Sequence, residues 1–290
     1  MITLQNVEYS YSSHKPVFKN LNLQLPEGHI YGLLGKNGIG KTTLLKILSG
    51  ALFAKGNYNI DGIDPRTRNN QLLETMRFDS DLIIDAKNGI GYSTRIHNYA
   101  KTLAPLYPNF NLDDMNNILE RLEVPTERKL YKMSKGEQRK ALAAFSLACN
   151  TNLLMMDEPT NGMDITSRQE FKKLVAEQFA EKCTAEGKFE QTIIVSTHQV
   201  EDLDGLMDAV IILGKDNVLL CATLEEIGKQ LKFGYADAND IVLYSEDTQN
   251  GKMCVMRNDT HEEMPVDLRL LFTATVKVPE KITPMFHSNL

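Results

Sequence analysis

Gly35-Lys36-Asn37-Gly38-Ile39-Gly40-Lys41-Thr42-Thr43 matches the pattern G-x-x-x-x-G-K-[ST] at every fixed position. Such a loop works only between a buried strand and a helix, and both flanks can be read here. The apolar run His29-Ile30-Tyr31-Gly32-Leu33-Leu34 enters it as a strand. Lys41 to Leu48 leaves it as a helix with Leu44, Leu45, Ile47 and Leu48 on one face. Gly35, Gly38 and Gly40 let backbone N–H groups approach a phosphate, and the helix N-terminus adds its positive dipole end. Lys41 then reaches the β- and γ-phosphates, Asn37 and Thr43 line the loop, and the Thr42 hydroxyl is placed to ligate Mg²⁺. The expected ligand is a nucleoside triphosphate.

The chain has 290 residues, enough for one large domain with an appendage or for two small domains. Its net charge of −6 argues against a surface shaped for nucleic-acid phosphates. Cys149, Cys183, Cys221 and Cys254 are dispersed without a C-x-x-C pair, which indicates neither zinc nor a disulfide framework and fits a reducing cytoplasm. No apolar run approaches the roughly 18 residues of a membrane span. The first residues lack the basic and apolar regions of a signal peptide. A membrane role is therefore expected to need a partner chain.

Ile2 to Tyr9 and Val17 to Leu25 read as two alternating strands, and Leu72 to Phe78 fits strand or helix equally. Ile96 to Leu103, Leu112 to Leu122 and Lys135 to Cys149 carry helical spacing, with Pro105, Pro108 and Pro125 between them. Buried strands are expected at Asn152 to Met156 and Thr192 to Ser196, then shorter ones at Ala209 to Leu213 and Val218 to Cys221. Helices are expected at Ser167 to Phe179 and Thr223 to Leu231. Beyond Phe233, polar stretches separate short alternating runs such as Phe272 to Val278. That composition predicts a small β-rich appendage with a loose end.

Leu153-Leu154-Met155-Met156-Asp157-Glu158 is the second anchor, an apolar strand ending in two acids. Buried strands rarely end in consecutive acids without a chemical reason. Asp157 is expected to hold Mg²⁺ through water beside Thr42, and Glu158 to orient and deprotonate an attacking water.

With these residues in place the chain resembles the ATP-binding cassette (ABC) ATPases over about residues 1 to 222. Asp157-Glu158-Pro159-Thr160 is followed by Asn161-Gly162-Met163-Asp164, which looks like that family's D-loop. Met133-Ser134-Lys135-Gly136-Glu137-Gln138 lies where the family places its L-S-G-G-Q signature. Val195-Ser196-Thr197-His198 ends a strand as the switch histidine does, and Tyr11 stands where an aromatic residue stacks on adenine. The resemblance implies an α/β fold, a P-loop NTPase (RecA-like) core with an antiparallel β subdomain and an inserted helical arm. On that frame residues 1–232 form the ATP-binding domain, with the arm at about 89–150, and residues 233–290 the appendage.

It also implies two cassettes meeting head to tail around ATP and Mg²⁺, as a homodimer or a heterodimer. Ser134, Gly136 and Glu137 would then face the partner's γ-phosphate, and an integral membrane permease would receive the motion at the cytoplasmic face. Ser134 and Glu137 independently form an S-x-x-E capping box for the Lys135 helix. No nucleic-acid partner is expected. A soluble ATPase of the same superfamily, in translation, repair or cofactor assembly, is the alternative. A GTPase or kinase fits the signature and His198 poorly.

Two features depart from the pattern. Lys135 and Glu137 replace the first glycine and the glutamine of the signature. Where the family's Q-loop glutamine belongs, the chain has Arg77-Phe78-Asp79-Ser80-Asp81. Asp81 is the positional candidate for a Mg²⁺ contact through water; a polar surface connection is the equal alternative.

Overall fold

The computed structural model describes residues 1–12, 15–80, 93–185, 187–249 and 251–289. Strands β1 (Ile2–Ser12) and β2 (Lys15–Leu25) precede β3 (Ile30–Leu34), which runs through the glycine loop into helix α1 (Lys41–Leu48). Strand β4 (Lys55–Ile60) returns to β1, so β2-β1-β4 form an antiparallel sheet with several bulges. The ambiguous stretch after it splits. Helix α2 (Asn70–Thr75), capped by the Asn69 side chain on Gln71 N, gives way to strand β5 (Met76–Asp79).

The arm contains helices α3 (Ile96–Leu103), α4 (Leu112–Arg121) and α5 (Lys135–Ala148). Pro105, Pro108 and Pro125 fall between them as expected. Strand β6 (Leu153–Asp157), helix α6 (Ile165–Glu181), strand β7 (Thr192–Thr197), strands β8 (Ala209–Leu213) and β9 (Val218–Thr223) and helix α7 (Leu224–Gln230) complete the core. Among the described residues the central sheet has the order β5-β6-β7-β3-β8-β9, parallel except for β9.

Every residue of β3, β6, β7 and β8 is buried. That explains their continuous apolar runs, because a parallel sheet is covered on both faces. Alternate residues point to opposite sides. Leu33, Met155, Ile194 and Ile211 pack toward α1 and the antiparallel sheet. Leu34, Met156, Val195 and Ile212 pack toward α5, α6 and the C-terminal residues.

The C-terminal region holds strands β10 (Leu231–Gly234), β11 (Val242–Thr248) and β12 (Gly251–Arg257), paired antiparallel in the order β10-β12-β11. Helices α8 (Leu268–Lys277) and α9 (Pro279–Ile282) follow. Phe272 to Val278, expected as an extended run, belongs almost wholly to α8. The Asp267 side chain caps that helix by accepting from Leu270 N, and Leu268, Leu271 and Ala274 repeat at helical spacing. The expected loose end is also anchored, since Ile282 and Phe286 are buried in the main core. The expected boundary after residue 232 lies inside β10.

Candidate functional site

The registers of the sheet bring the chemistry to one end of its central strands. Leu34 is level with Thr197 across the β3–β7 pair, and Asp157 is level with Ser196 across β6–β7. The glycine loop, the two acids and the histidine therefore emerge from the carboxyl ends of three adjacent strands, where ligands of open α/β sheets bind. Helix α1 begins at Gly40 with no side-chain cap, leaving its N-terminal dipoles to an anion. Gly40 has φ 122°, and a Cβ there would stand 2.8 Å from Val17 Cγ1 and 2.9 Å from the Phe18 ring. Only glycine fits that corner.

A cleft of ≈ 840 Å³ opens over the loop and is lined by Tyr11, Asn37, Gly38, Gly40, Lys41, Thr42, Thr43 and Glu158. Lys41 is buried, and its Nζ donates to the Gly35 carbonyl at 2.8 Å and lies 3.6 Å from Glu158 Oε1. Burial pulls its ammonium below the ordinary lysine range, and the carboxylates of Glu158 and Asp157 oppose that shift. Thr42 Oγ1 donates to Asp157 Oδ2 at 2.6 Å, and Ser196 Oγ donates to Asp157 Oδ1 at 2.5 Å. Both oxygens of this buried carboxylate are thus held. Arg139 of α5 donates to the Asp157 carbonyl at 2.9 Å.

Glu158 follows in a left-handed conformation with φ 51°. Its N–H is shared between the carbonyl and hydroxyl oxygens of Ser196, each at 3.1 Å. Its side chain meets His198 Nδ1 at 2.7 Å. A non-glycine residue in that region is uncommon, and the turn swings the second carboxylate off the strand toward the histidine. Tyr11 is exposed, with its hydroxyl 3.1 Å from Thr43 Oγ1 and its ring edge-on to Tyr9.

Ser134, Gly136 and Glu137 do not line this cleft. They form the start of α5, where the capping box closes: Ser134 N donates to Glu137 Oε2 at 2.7 Å and Glu137 N to Ser134 Oγ at 3.2 Å. Arg128 adds a contact at 3.2 Å. Those hydrogen bonds, led by the Ser134 N–H, hold the Glu137 carboxyl below the usual carboxylate range. A Cβ on Gly136 would sit 2.2 Å from the Gly162 carbonyl, so the signature and the D-loop touch backbone to backbone. Asp81 lies outside the described residues.

Sequence reasoning assigned no role to Ser196 or Arg139. Ser196 stands within the strand-ending motif and could have been read from it. Arg139 shows no signal in sequence, because its partner is a backbone carbonyl eighteen positions away. Lys15, Lys19, Lys215 and Asp216 also line the cleft, brought there by β2 and the β8–β9 turn.

A glycine-loop nucleotide cleft, a helical arm with a capped signature and a parallel sheet define a cassette-type phosphate-loop ATPase fold. Residues 18–161 match the family model described as ABC transporter. The ATP-binding protein EcfA1 of an energy-coupling factor transporter from Fusobacterium nucleatum is 31% identical over 208 residues, covering 70% of this chain and 75% of that protein. The ABC transporter ATP-binding protein YtrB of Bacillus subtilis is 25% identical over 249 residues, covering 84% and 79%. Two solved structures share the fold. A dimeric ABC transporter cassette, MJ0796, has a TM-score of 0.62 at 23% identity, covering 77% of this chain and 98% of that one. The cbiO1 protein of Clostridium perfringens, part of the ABC transporter complex cbiONQ, has 0.59 at 24% identity, covering 78% and 89%. The chain belongs to the ABC transporter family, as an ATP-binding subunit. Among the described residues no helix is long and apolar enough to cross a membrane.

Proposed function

We propose that the chain hydrolyses ATP to ADP and phosphate, and that two cassettes close around the nucleotide to drive a separate permease. The observation that carries this reading is the convergence of Lys41, Thr42, Asp157, Glu158 and His198 at the carboxyl end of the central sheet. Glu158 lies 2.7 Å from His198 and 3.6 Å from Lys41. In this mechanism the glycine-loop N–H groups and Lys41 hold the β- and γ-phosphates. Glu158 takes a proton as water oxygen attacks the γ-phosphorus, the bond to the ADP oxygen breaks, and His198 keeps the Glu158 carboxylate aimed. Tyr11 offers a stacking face for the base.

The donor set fits Mg²⁺. Thr42 and Asp157 supply hard oxygens 2.6 Å apart beside the cleft. Mg²⁺ usually keeps several waters and takes substrate phosphate oxygens, so it would need no more than about one or two protein oxygens. When bound, the ion would neutralise charge on the phosphates. Asp81 remains a candidate further contact.

Ser134, Gly136 and Glu137 sit apart from the protomer's own cleft, which supports a second cassette, identical or not, as the source of the missing wall. The names of the relatives support a permease partner, which would hold the chain at the cytoplasmic face of the membrane. Glu158→Gln is expected to bind ATP normally, to lose most turnover and to accumulate as a nucleotide-bound dimer. Steady-state hydrolysis and size-exclusion chromatography with ATP check this; turnover like the wild type removes Glu158 from its role.

A further inference from the structure

Behind the Glu158–His198 pair lies a second contact between the same two loops. The 3-10 turn Val200–Asp202 begins two residues after His198. The Asp202 carboxylate is buried and engaged at both oxygens. Thr160 Oγ1, two residues after Glu158, donates to Oδ2 at 3.0 Å, and Arg168 Nη1 of α6 donates to Oδ1 at 2.8 Å. Arg168 Nε also donates to the Met163 carbonyl at 3.1 Å, in the stretch after Thr160. One buried carboxylate thus joins the loop after β6, the first turns of α6 and the loop after β7.

From this geometry we infer that Asp202, with Thr160 and Arg168, is a positioning clamp. It sets the separation of Glu158 and His198 for water activation, and touches neither nucleotide nor the reacting atoms. Glu158 leaves β6 through a left-handed residue, so the strand alone does not fix its direction. His198 is on a loop after β7. Two loops aimed at each other need a cross-tie behind the contact, and a buried carboxylate with a charged donor and a hydroxyl donor is a stiff one. The inference rests on the proposed hydrolysis, since a clamp on Glu158 and His198 matters only if that pair acts in turnover.

Thr160→Val is the least disruptive probe, because it removes one donor, keeps the volume and leaves the Asp202–Arg168 pair. Purified full-length chain is assayed for ATP hydrolysis in a cycle of wild type, Thr160→Val, His198→Ala and the double variant, with Thr160→Ser as the conservative rescue. Misplacing a catalytic group can cost up to about a hundredfold. A fall in kcat of about tenfold or more is expected for Thr160→Val, with KM for ATP nearly unchanged, recovery in Thr160→Ser, and little further loss in the His198→Ala background. The same fold loss in both backgrounds overturns the clamp, because independent effects multiply. Wild-type turnover in Thr160→Val overturns it equally. Wild-type protein without ATPase activity instead overturns the reading on which the clamp rests, and nucleotide-dependent dimerisation of the same sample separates that result from loss of ATP binding.

Discussion

His29 stands at the entry to β3, at the end of the sheet opposite the cleft. Its Nδ1 contacts Asp208 Oδ2 at 2.9 Å, while Asp208 Oδ1 accepts from Ile30 N at 2.7 Å. That hydrogen bond raises the imidazole pKa above its ordinary value, with burial opposing and the charges of Asp208 and Glu226 reinforcing. A folded-state pKa above the unfolded one means the protonated ring favours the folded chain. The contribution is complete below about pH 6.5 and is lost as pH rises through the folded value. The stability difference between wild type and His29→Gln, followed by urea unfolding, is therefore expected to be full at about pH 6 and to shrink as the pH is raised above it. A pH-independent difference would dissociate His29 from the ion pair. Gln also removes the edge-on contact of the imidazole with Tyr31, a loss that does not vary with pH, so the ring's charge is read from the pH dependence of the difference.

At the scale of elements, α5 shows how one segment carries two kinds of information. Its start is local: Ser134 and Glu137 are three residues apart, and both halves of the capping box form. Ser134→Ala is expected to cost about 1 kcal/mol, within the range of about 0.5–2 for lost N-caps, as measured by chemical denaturation of the nucleotide-free protein. Loss of turnover far beyond that modest destabilisation would support the proposed role of Ser134 opposite a second nucleotide. The rest of α5 is decided by its surroundings. Lys135 to Ala148 is mostly buried and includes Arg139 and Lys140, whose charged ends reach the Asp157 carbonyl and the Ser167 hydroxyl. No helical periodicity could reveal that. The pair α2 and β5 makes the complementary case, since Leu72 to Phe78 is apolar enough for either state. The Asn69 cap starts a helix and pairing with β6 ends it in a strand.

For the whole molecule, the C-terminal residues are continuous with the ATP-binding core. Leu231, Val255, Leu270, Leu271, Ala274, Ile282 and Phe286 belong to the same buried cluster as Leu154, Val195 and Ile212 of the central sheet. Helix α8 also packs on the Val200–Asp202 turn that carries the inferred clamp. We propose that residues 233–290 are a unit folded onto residues 1–232 rather than an independent domain. Leu271 is fully buried in α8. Leu271→Ala is expected to cost about 2–5 kcal/mol and to lower the midpoint of a single cooperative transition. Two separated transitions, with only one shifted, would show that the C-terminal unit unfolds alone.

The features legible in the order of residues are those whose physics is local or periodic. The glycine loop needs its strand and helix within a few residues. The capping box closes over three. Buried strands announce themselves as apolar runs because both faces are covered. Asp157, Glu158 and His198 could be placed at strand ends for the same reason. Contacts between segments distant in the chain came from packing and were not legible in the order of residues. These include the order β6-β7-β3 that sets Asp157 beside Ser196, the Arg139 bond behind it, and the Asp202 clamp between two loops. The alternation of Phe272 to Val278 pointed the wrong way because a seven-residue window held too little of the helical repeat. The Asp267 cap and a buried face against the core settled it. Local free energies of a few tenths of a kcal/mol per residue select among conformations weakly, whereas burial of a large side chain contributes about 1.5–3 kcal/mol and depends on what the fold places opposite it.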